Sequence, residues 1–326
     1  MIITKTPYRI SLFGGGSDHP VWYKKHGGEV ISFAIDKYCY ISTRILPPFF
    51  DHKYRIAYSK IETVDKFEKI SHPAVREAIR KFCPELSLEI QHHGDLPARS
   101  GVGSSSAFAV GLIHSLLALQ GREISWQLLA NEAIKLEQED LKENVGSQDQ
   151  IACSLGGLNY INFGGDLNWQ VTPIQTNSKF VDLFMDRVIL IYTGIPRISS
   201  DVQKSLLENI ESKKSAMDRM VALSRESRKI IENNSNLDFI GEMLDESWSI
   251  KREMNSAAIT PALDDFYTEA KSAGAIGGKV LGAGGGGFCM FWIKEGEKEY
   301  FLRKFKIGLN VPVKMSNHGS ICLLGI

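Results

Sequence analysis

Hydrophobic and polar positions sort this chain into recognisable elements. Ile2 to Leu12 has strand character and runs straight into three glycines, Gly14, Gly15 and Gly16. Val30 to Ile45 (VISFAIDKYCYISTRI) alternates β-branched and aromatic residues with polar ones, the signature of a half-buried strand or hairpin. Leu86 to Gln91 and Asp186 to Tyr192 read as further strands. Ala107 to Leu119 is apolar almost all round, which predicts a helix buried on every side. Ser125 is placed as an N-cap, predicting a helix that runs to about Leu141. Ile151 to Phe163, with its Gly156-Gly157 pair, reads as a turn and a strand.

After Pro196 the character changes. Residues 199 to 258 are charged and helical in period, with Phe239, Ile240, Met243, Leu244 and Trp248 as their apolar positions. Thr260-Pro261 starts a new helix, with threonine as cap and proline at the first helical position. Lys279-Val280-Leu281, the glycine run 284–287 and Phe288 to Ile293 then read as strand, loop, strand. No repeat of solenoid length and no low-complexity linker interrupts the chain. With 326 residues, two domains are expected, and the change of character puts the boundary near residue 195, giving units 1–195 and 196–326.

Charge narrows the partners. Lys plus Arg is 38 and Asp plus Glu is 38, for a net charge of zero. A nucleic-acid binder or a polybasic membrane-surface protein needs an excess of cations, so any bound anion must be held by a local arrangement. No apolar stretch has the length of a signal-peptide core at the start or of a bilayer span elsewhere. Five scattered cysteines without a C-x-x-C pair suit reduced thiols in a cytoplasm. His92 and His93 are adjacent on a strand and so point to opposite faces, which argues against a shared metal ion.

Three glycine-rich loops carry the candidate chemistry. Gly282-x-Gly284-x-x-Gly287 matches the dinucleotide fingerprint, but a strand follows it where the pyrophosphate needs a helix start. Gly101-Val102-Gly103-Ser104-Ser105-Ser106 has that context, since it opens the buried helix. Its glycines let backbone amides approach an anion, and the helix start adds free N–H groups and a positive dipole end. A well-capped helix behind a flexible turn is the alternative. Gly14-Gly15-Gly16-Ser17-Asp18, with Arg9 upstream, is either a tight turn or part of the same site.

Two carboxylates stand out. Glu137 lies i+4 from Ala133, i+3 from Ile134 and i−4 from Leu141, on the apolar face, where a charge is costly unless paired or coordinated. Glu139 lies on the charged face. Asp149, in the polar run Gly146 to Gln150, is expected in a loop at the mouth of the same domain, with a capping role as the alternative.

In order, Pro7-Tyr-Arg-Ile-Ser-Leu-Phe-Gly-Gly-Gly-Ser-Asp18, Pro97-x-x-x-Gly-Val-Gly-Ser-Ser-Ser106 and Lys279-x-x-Gly-Ala-Gly-Gly-Gly-Gly287 resemble the three motifs of the GHMP small-molecule kinases. Within that family, LPARSGVGSSSAFAVGL, ENVGSQDQIA, TGIPRISSDV and ESWSIKREMN resemble the D-glycero-D-manno-heptose 7-phosphate kinases. Ser100 replaces the more usual threonine of that motif, and His19-Pro20 departs from the tyrosine of galactokinases. The resemblance implies a two-domain α/β (α+β) fold, with an N-terminal ribosomal-protein-S5-domain-2-like domain of left-handed βαβ type and a ferredoxin-like C-terminal domain. It implies ATP and Mg²⁺ as cofactors and a small sugar phosphate as partner, phosphorylated at its anomeric C1 hydroxyl, and it leaves a homo-oligomer open. Gly101, Val102, Gly103, Ser104, Ser105 and Ser106 would wrap the ATP phosphates, and Ser105 would ligate Mg²⁺ beside Glu137, with Glu139 as runner-up. Asp149 would be the base and Arg9 the cation near the transferring group. Asp18, Gly15, Gly16 and Ser17 would meet the sugar, Gly285 and Gly286 would support it, and Arg99 and Arg197 would hold the 7-phosphate.

Overall fold

The computed structural model of the chain describes residues 1–164, 169–195, 211–233, 235–254, 260–282 and 284–325. Two sheets organise it. The first has eight strands: β1 (Ile2–Phe13), β2 (Gly28–Ile45), β3 (Tyr54–Ala57), β4 (Ile61–Val64), β5 (Leu88–Gly94), β6 (Leu158–Phe163), β7 (Trp169–Pro173) and β12 (Ile321–Gly325). The other holds β8 (Val188–Tyr192), β9 (Gly277–Val280), β10 (Phe288–Trp292) and β11 (Leu309–Asn310).

The alternating stretch after Gly28 is one strand, not a hairpin. β2 is 18 residues long because it serves two partners in succession. Its first residues pair with β6 and its last with β5, while β1 lies antiparallel along its other edge. The second sheet is antiparallel throughout, in the order β11-β8-β10-β9. Numbered by their own order, those strands run 4-1-3-2, the ferredoxin-like arrangement.

The sheets exchange strands across the proposed boundary at residue 195. β8 precedes it yet pairs in the second sheet, and β12 returns from the far end to pair with β1. One hydrophobic core spans both sheets, joining Phe33 and Ile41 to Leu281, Phe288, Met290 and Trp292.

Among the described residues the helices are α1 (Pro20–His26), α2 (Pro73–Phe82), α3 (Ser104–Leu119), α4 (Trp126–Lys135), α5 (Gln148–Leu155), α6 (Ser178–Asp186), α7 (Lys214–Glu232), α8 (Asp238–Met254), α9 (Pro261–Ser272) and α10 (Lys298–Lys304). The all-apolar segment forms α3, buried along nearly its whole length against β1, β2, α4 and α5. Ser125 and Thr260 act as the expected caps, their hydroxyls accepting from the backbone N–H of Leu128 and Leu263. Two expectations fail. Ile151 to Leu155 is helical, because Gly156 sits at positive φ as the stop of α5 and not as the start of a turn. The helix after Ser125 gives way at Leu136 to one wide π turn, Leu136–Asp140. Such turns occur often at functional sites. Among the described residues no helix is long and apolar enough to cross a membrane.

Candidate active site

The loop between β5 and α3 is fixed by two glycines. Gly103, at the N-cap of α3, has φ 75°, so it offers no side chain to cap the helix and leaves the first-turn N–H groups for another acceptor. A Cβ there would lie 3.1 Å from Arg9 Cγ, so the bare backbone also admits the arginine. At Gly101, φ is 93° and a Cβ would meet the Leu281 carbonyl oxygen at 2.4 Å. The second glycine loop is thereby packed against the last.

Arg9 joins three parts of the site. Its Nε donates to Asp149 Oδ1 at 2.7 Å, its Nη2 donates to Asp149 Oδ2, and its Nη1 donates to the Gly101 carbonyl at 2.8 Å. Burial alone would lower the pKa of this guanidinium; the adjacent Asp149 carboxylate outweighs that and the net direction is upward. The Arg9 side chain is 5% exposed and that of Asp149 22%, so the carboxylate reaches the open side with the cation behind it. Asp149 does not lie in a loop as expected. It occupies the first turn of α5, where the helix dipole favours an acid. A polar run immediately ahead of apolar Ile151 and Ala152 is a helix start, in keeping with the capping alternative.

Glu137 is 2% exposed, as its place on the apolar face required. Its Oε2 accepts from Ser106 Oγ at 2.7 Å and from Gln150 Nε2 at 2.5 Å. Burial pushes its pKa up to about 7; the two hydrogen bonds oppose the rise, and the negative charges of Glu143 and Asp149 add to it. The charges of Glu143 and Asp149 thus bear on Glu137, which only neutral donors touch. A buried carboxylate is the kind of hard oxygen donor a divalent cation takes, while among the described residues no group of three or more His, Cys, Asp or Glu is placed to hold a metal ion. Ser106, and not Ser105, is the serine bonded to Glu137; Ser105 is exposed on the first turn of α3. Ser106 and Gln150 were not singled out from the sequence. Glu139 carries no resolved contact with either.

The remaining expected residues divide. Asp18 is buried and clamps loops together: Oδ1 accepts from Gly16 N at 2.9 Å, Oδ2 from Gln148 N at 3.3 Å, and its carbonyl from Ser147 N at 3.0 Å. The geometry therefore makes it a brace between the first glycine loop and α5. Ser17 is turned inward as well, its hydroxyl donating to the Gly14 carbonyl at 2.8 Å, while Gly15 and Gly16 stay partly exposed. Gly285 and Gly286 lie in a buried run at positive φ between antiparallel β9 and β10, so the dinucleotide match has no helix behind it. Next in chain, Gly287 accepts from Thr193 N and Oγ1, and Phe288 N donates to the Ser100 carbonyl. Arg99 has φ 59°, a left-handed conformation, and its N–H donates to Ser104 Oγ at 2.9 Å. It borders a cavity of about 220 Å³ lined also by Ser100, Tyr192, Ile195 and Gly287. Arg197 lies outside the described residues.

Fold and site together define a two-domain α/β protein in which a glycine-rich loop with free backbone N–H groups opens a buried helix. Comparison with known proteins makes this specific. The family model for the GHMP kinases N terminal domain matches residues 72–157, and the model for the GHMP kinases C terminal matches residues 225–309. A D-glycero-alpha-D-manno-heptose 7-phosphate kinase of Campylobacter jejuni is 29% identical over 93% of this chain and 92% of its own length. The bifunctional fucokinase/GDP-fucose pyrophosphorylase of Arabidopsis thaliana is 25% identical over 97% of this chain, which spans about a third (32%) of that longer protein. Among solved structures, a D-glycero-D-manno-heptose 1-phosphate kinase of Bacteroides thetaiotaomicron superposes with a TM-score of 0.82 at 23% identity, covering 99% of both chains. The chain belongs to the GHMP kinases, enzymes that use ATP as phosphate donor.

Proposed function

We propose that this kinase phosphorylates the anomeric C1 hydroxyl of D-glycero-D-manno-heptose 7-phosphate, giving the 1,7-bisphosphate and ADP in nucleotide-activated heptose biosynthesis. The name of the Campylobacter relative supports the sugar. The observation that carries the chemistry is Arg9, held at once by Asp149 and by the Gly101 carbonyl of the phosphate loop. Phosphoryl transfer asks for in-line positioning and neutralised charge more than for covalent help. The Gly101–Ser106 amides and Arg9 supply charge oriented in advance. Asp149, on the open side, receives the sugar hydroxyl on the lone pairs that Arg9 leaves and takes its proton or orients it.

Mg²⁺ would be held by Glu137 and the exposed Ser105 hydroxyl, with Ser106 and Gln150 aiming the carboxylate. When bound it neutralises charge on the phosphate oxygens of ATP. The 7-phosphate needs its own cations, for which Arg99 beside the cavity and Arg197 are the candidates. R99Q should raise KM for the sugar phosphate about tenfold with kcat little changed, since it removes a charge that holds the substrate equally in ground and transition states; an unchanged KM removes Arg99 from this role. Buried thiols at Cys39, Cys83, Cys153 and Cys289 suit a reducing cytoplasm.

A second reading takes its support from the Bacteroides name, which sets heptose 1-phosphate as that protein's substrate. ³¹P NMR of the protein with Mg-ATP and, in parallel, heptose 7-phosphate, heptose 1-phosphate, galactose and fucose separates the readings. A new anomeric phosphate signal with ADP, only from heptose 7-phosphate, is expected. Turnover of a free sugar, or of the 1-phosphate, overturns the substrate while leaving the kinase.

A further inference from the structure

Three cationic side chains are buried among the described residues: Arg9, Arg187 and Lys279. Arg9 has Asp149, and Arg187 has Asp238 and Glu295. Lys279 is 5% exposed and forms no ion pair with a described residue. Its one hydrogen bond among them runs from Nζ to the Leu12 carbonyl at 3.1 Å. An ammonium buried with one carbonyl for company costs several kcal/mol relative to water unless some anion compensates it.

Its place suggests which anion. Lys279 projects from β9, three residues before the glycine run that begins at Gly282. Leu12 lies near the end of β1, three residues after Arg9 and just before the Gly14–Asp18 loop. The bond therefore crosses from the second sheet to the first and ties the roots of two glycine loops together. The charged groups bearing on the ammonium are Arg9 on β1 and Asp18 in the loop after it. Helix α8, packed on the same strand, turns Lys251 toward the carbonyls of Val280 and Gly282 at the strand's end. Burial first, and then Arg9, bring the Lys279 pKa down to about 8, with Asp18 acting the other way.

We propose that Lys279 is a positioning residue for phosphoryl transfer: it locks the two glycine loops across the sheets and keeps a positive charge beneath the site, with the phosphates of bound ATP as its missing counter-ion. It does not touch the substrate; it acts through the Leu12 carbonyl and through its field. Phosphate arrival then favours the protonated ammonium, and loss of that proton at alkaline pH weakens transfer.

Two measurements test this, and one does not depend on the sugar. In the intact protein with ¹³C-labelled lysine, the Lys279 signal, assigned by its absence in K279R, is titrated with and without Mg-AMPPNP. The midpoint should move up by about one pH unit or more on binding, as an arriving anion requires. An unmoved midpoint overturns the proposal, since a purely structural strut would not respond. The other measurement uses whichever sugar turns over. K279M should lower kcat about 10- to 100-fold with KM for ATP within threefold, a smaller loss than a donor in direct contact would give. In K279R the charge persists, so most of kcat returns and the alkaline fall of kcat/KM for ATP near pH 8, which reports the free enzyme, disappears. K279M with wild-type kcat and an unchanged alkaline limb refutes it. Should K279M fail to fold, D18N carries the same question: removing the carboxylate that favours the ammonium should shift the wild-type limb to lower pH, and a limb that stays in place counts against the proposal.

Discussion

Two acidic corners of this site, close enough to influence one another, are built on opposite plans. Asp149 is given an arginine: both its oxygens accept from a buried guanidinium that also grips the Gly101 loop. Glu137 is given only a serine and a glutamine, and burial pushes its pKa up to about 7. One carboxylate has its charge balanced by a neighbouring guanidinium; the other has only neutral donors. This division is the ground for proposing Asp149 as the residue that faces the sugar and Glu137 as the one that faces a cation.

The largest effect expected from breaking this contrast is at Asp149. D149N keeps the shape but cannot take a proton and loses the charge opposite Arg9. Turnover should fall by about 10² to 10⁴, the usual range for a positioned acid or base. Steady-state kinetics with Mg-ATP checks it, and near-normal kcat would remove Asp149 from the chemistry. Next comes E137Q, where activity and stability should part. A glutamine matches the glutamate in shape without burying a charge, so the melting temperature should hold or rise by a few degrees, since a burial cost of about 1 kcal/mol or more is relieved. Activity should fall by roughly 10² or more as charge neutralisation on the phosphates is lost. Calorimetry and kinetics on the same preparation decide; a large loss of stability would recast Glu137 as a structural residue.

The same contrast explains what the sequence disclosed. Glu137 was legible because helical periodicity alone sets it on the apolar face; that it is buried without an ion pair, rather than snorkelling or salt-bridged at a helix end, only the packing decides. The buried helix α3, the caps Ser125 and Thr260, and the strand–loop–strand around Gly284–Gly287 were legible for similar reasons: each is written in local pattern. The double pairing of β2, the return of β12 to β1 and the exchange of strands across residue 195 were not, because pairing partners far apart in the chain leave no local trace. Asp18 shows the limit most plainly. Its motif was legible, but the approach of Gly146, where a Cβ would fall 1.8 Å from Asp18 Oδ2, and the bracing of α5 that goes with it are tertiary facts that leave no local trace.

The smallest expected effects separate the two serines beside Glu137, and they sharpen the contrast most finely. Ser106 is committed: its hydroxyl donates to the carboxylate inside the protein. Removing it in S106A leaves an acceptor of a buried acid half satisfied, which costs about 1.5 to 3 kcal/mol for a bond to a charged group. The melting temperature should therefore drop by several degrees, while kcat falls only a few-fold because Gln150 still holds Glu137 in place. Ser105 is exposed on the first turn of α3 and has no such duty. S105A should leave the melting temperature within about a degree, as surface substitutions do, and should instead raise the Mg²⁺ concentration needed for half-maximal rate by roughly tenfold. Thermal unfolding and a Mg²⁺ titration of both variants tell the aiming residue from the ligand. If S106A raises the Mg²⁺ requirement and S105A does not, the roles of the two hydroxyls are exchanged, and the cation sits deeper in the niche than the exposed face of α3.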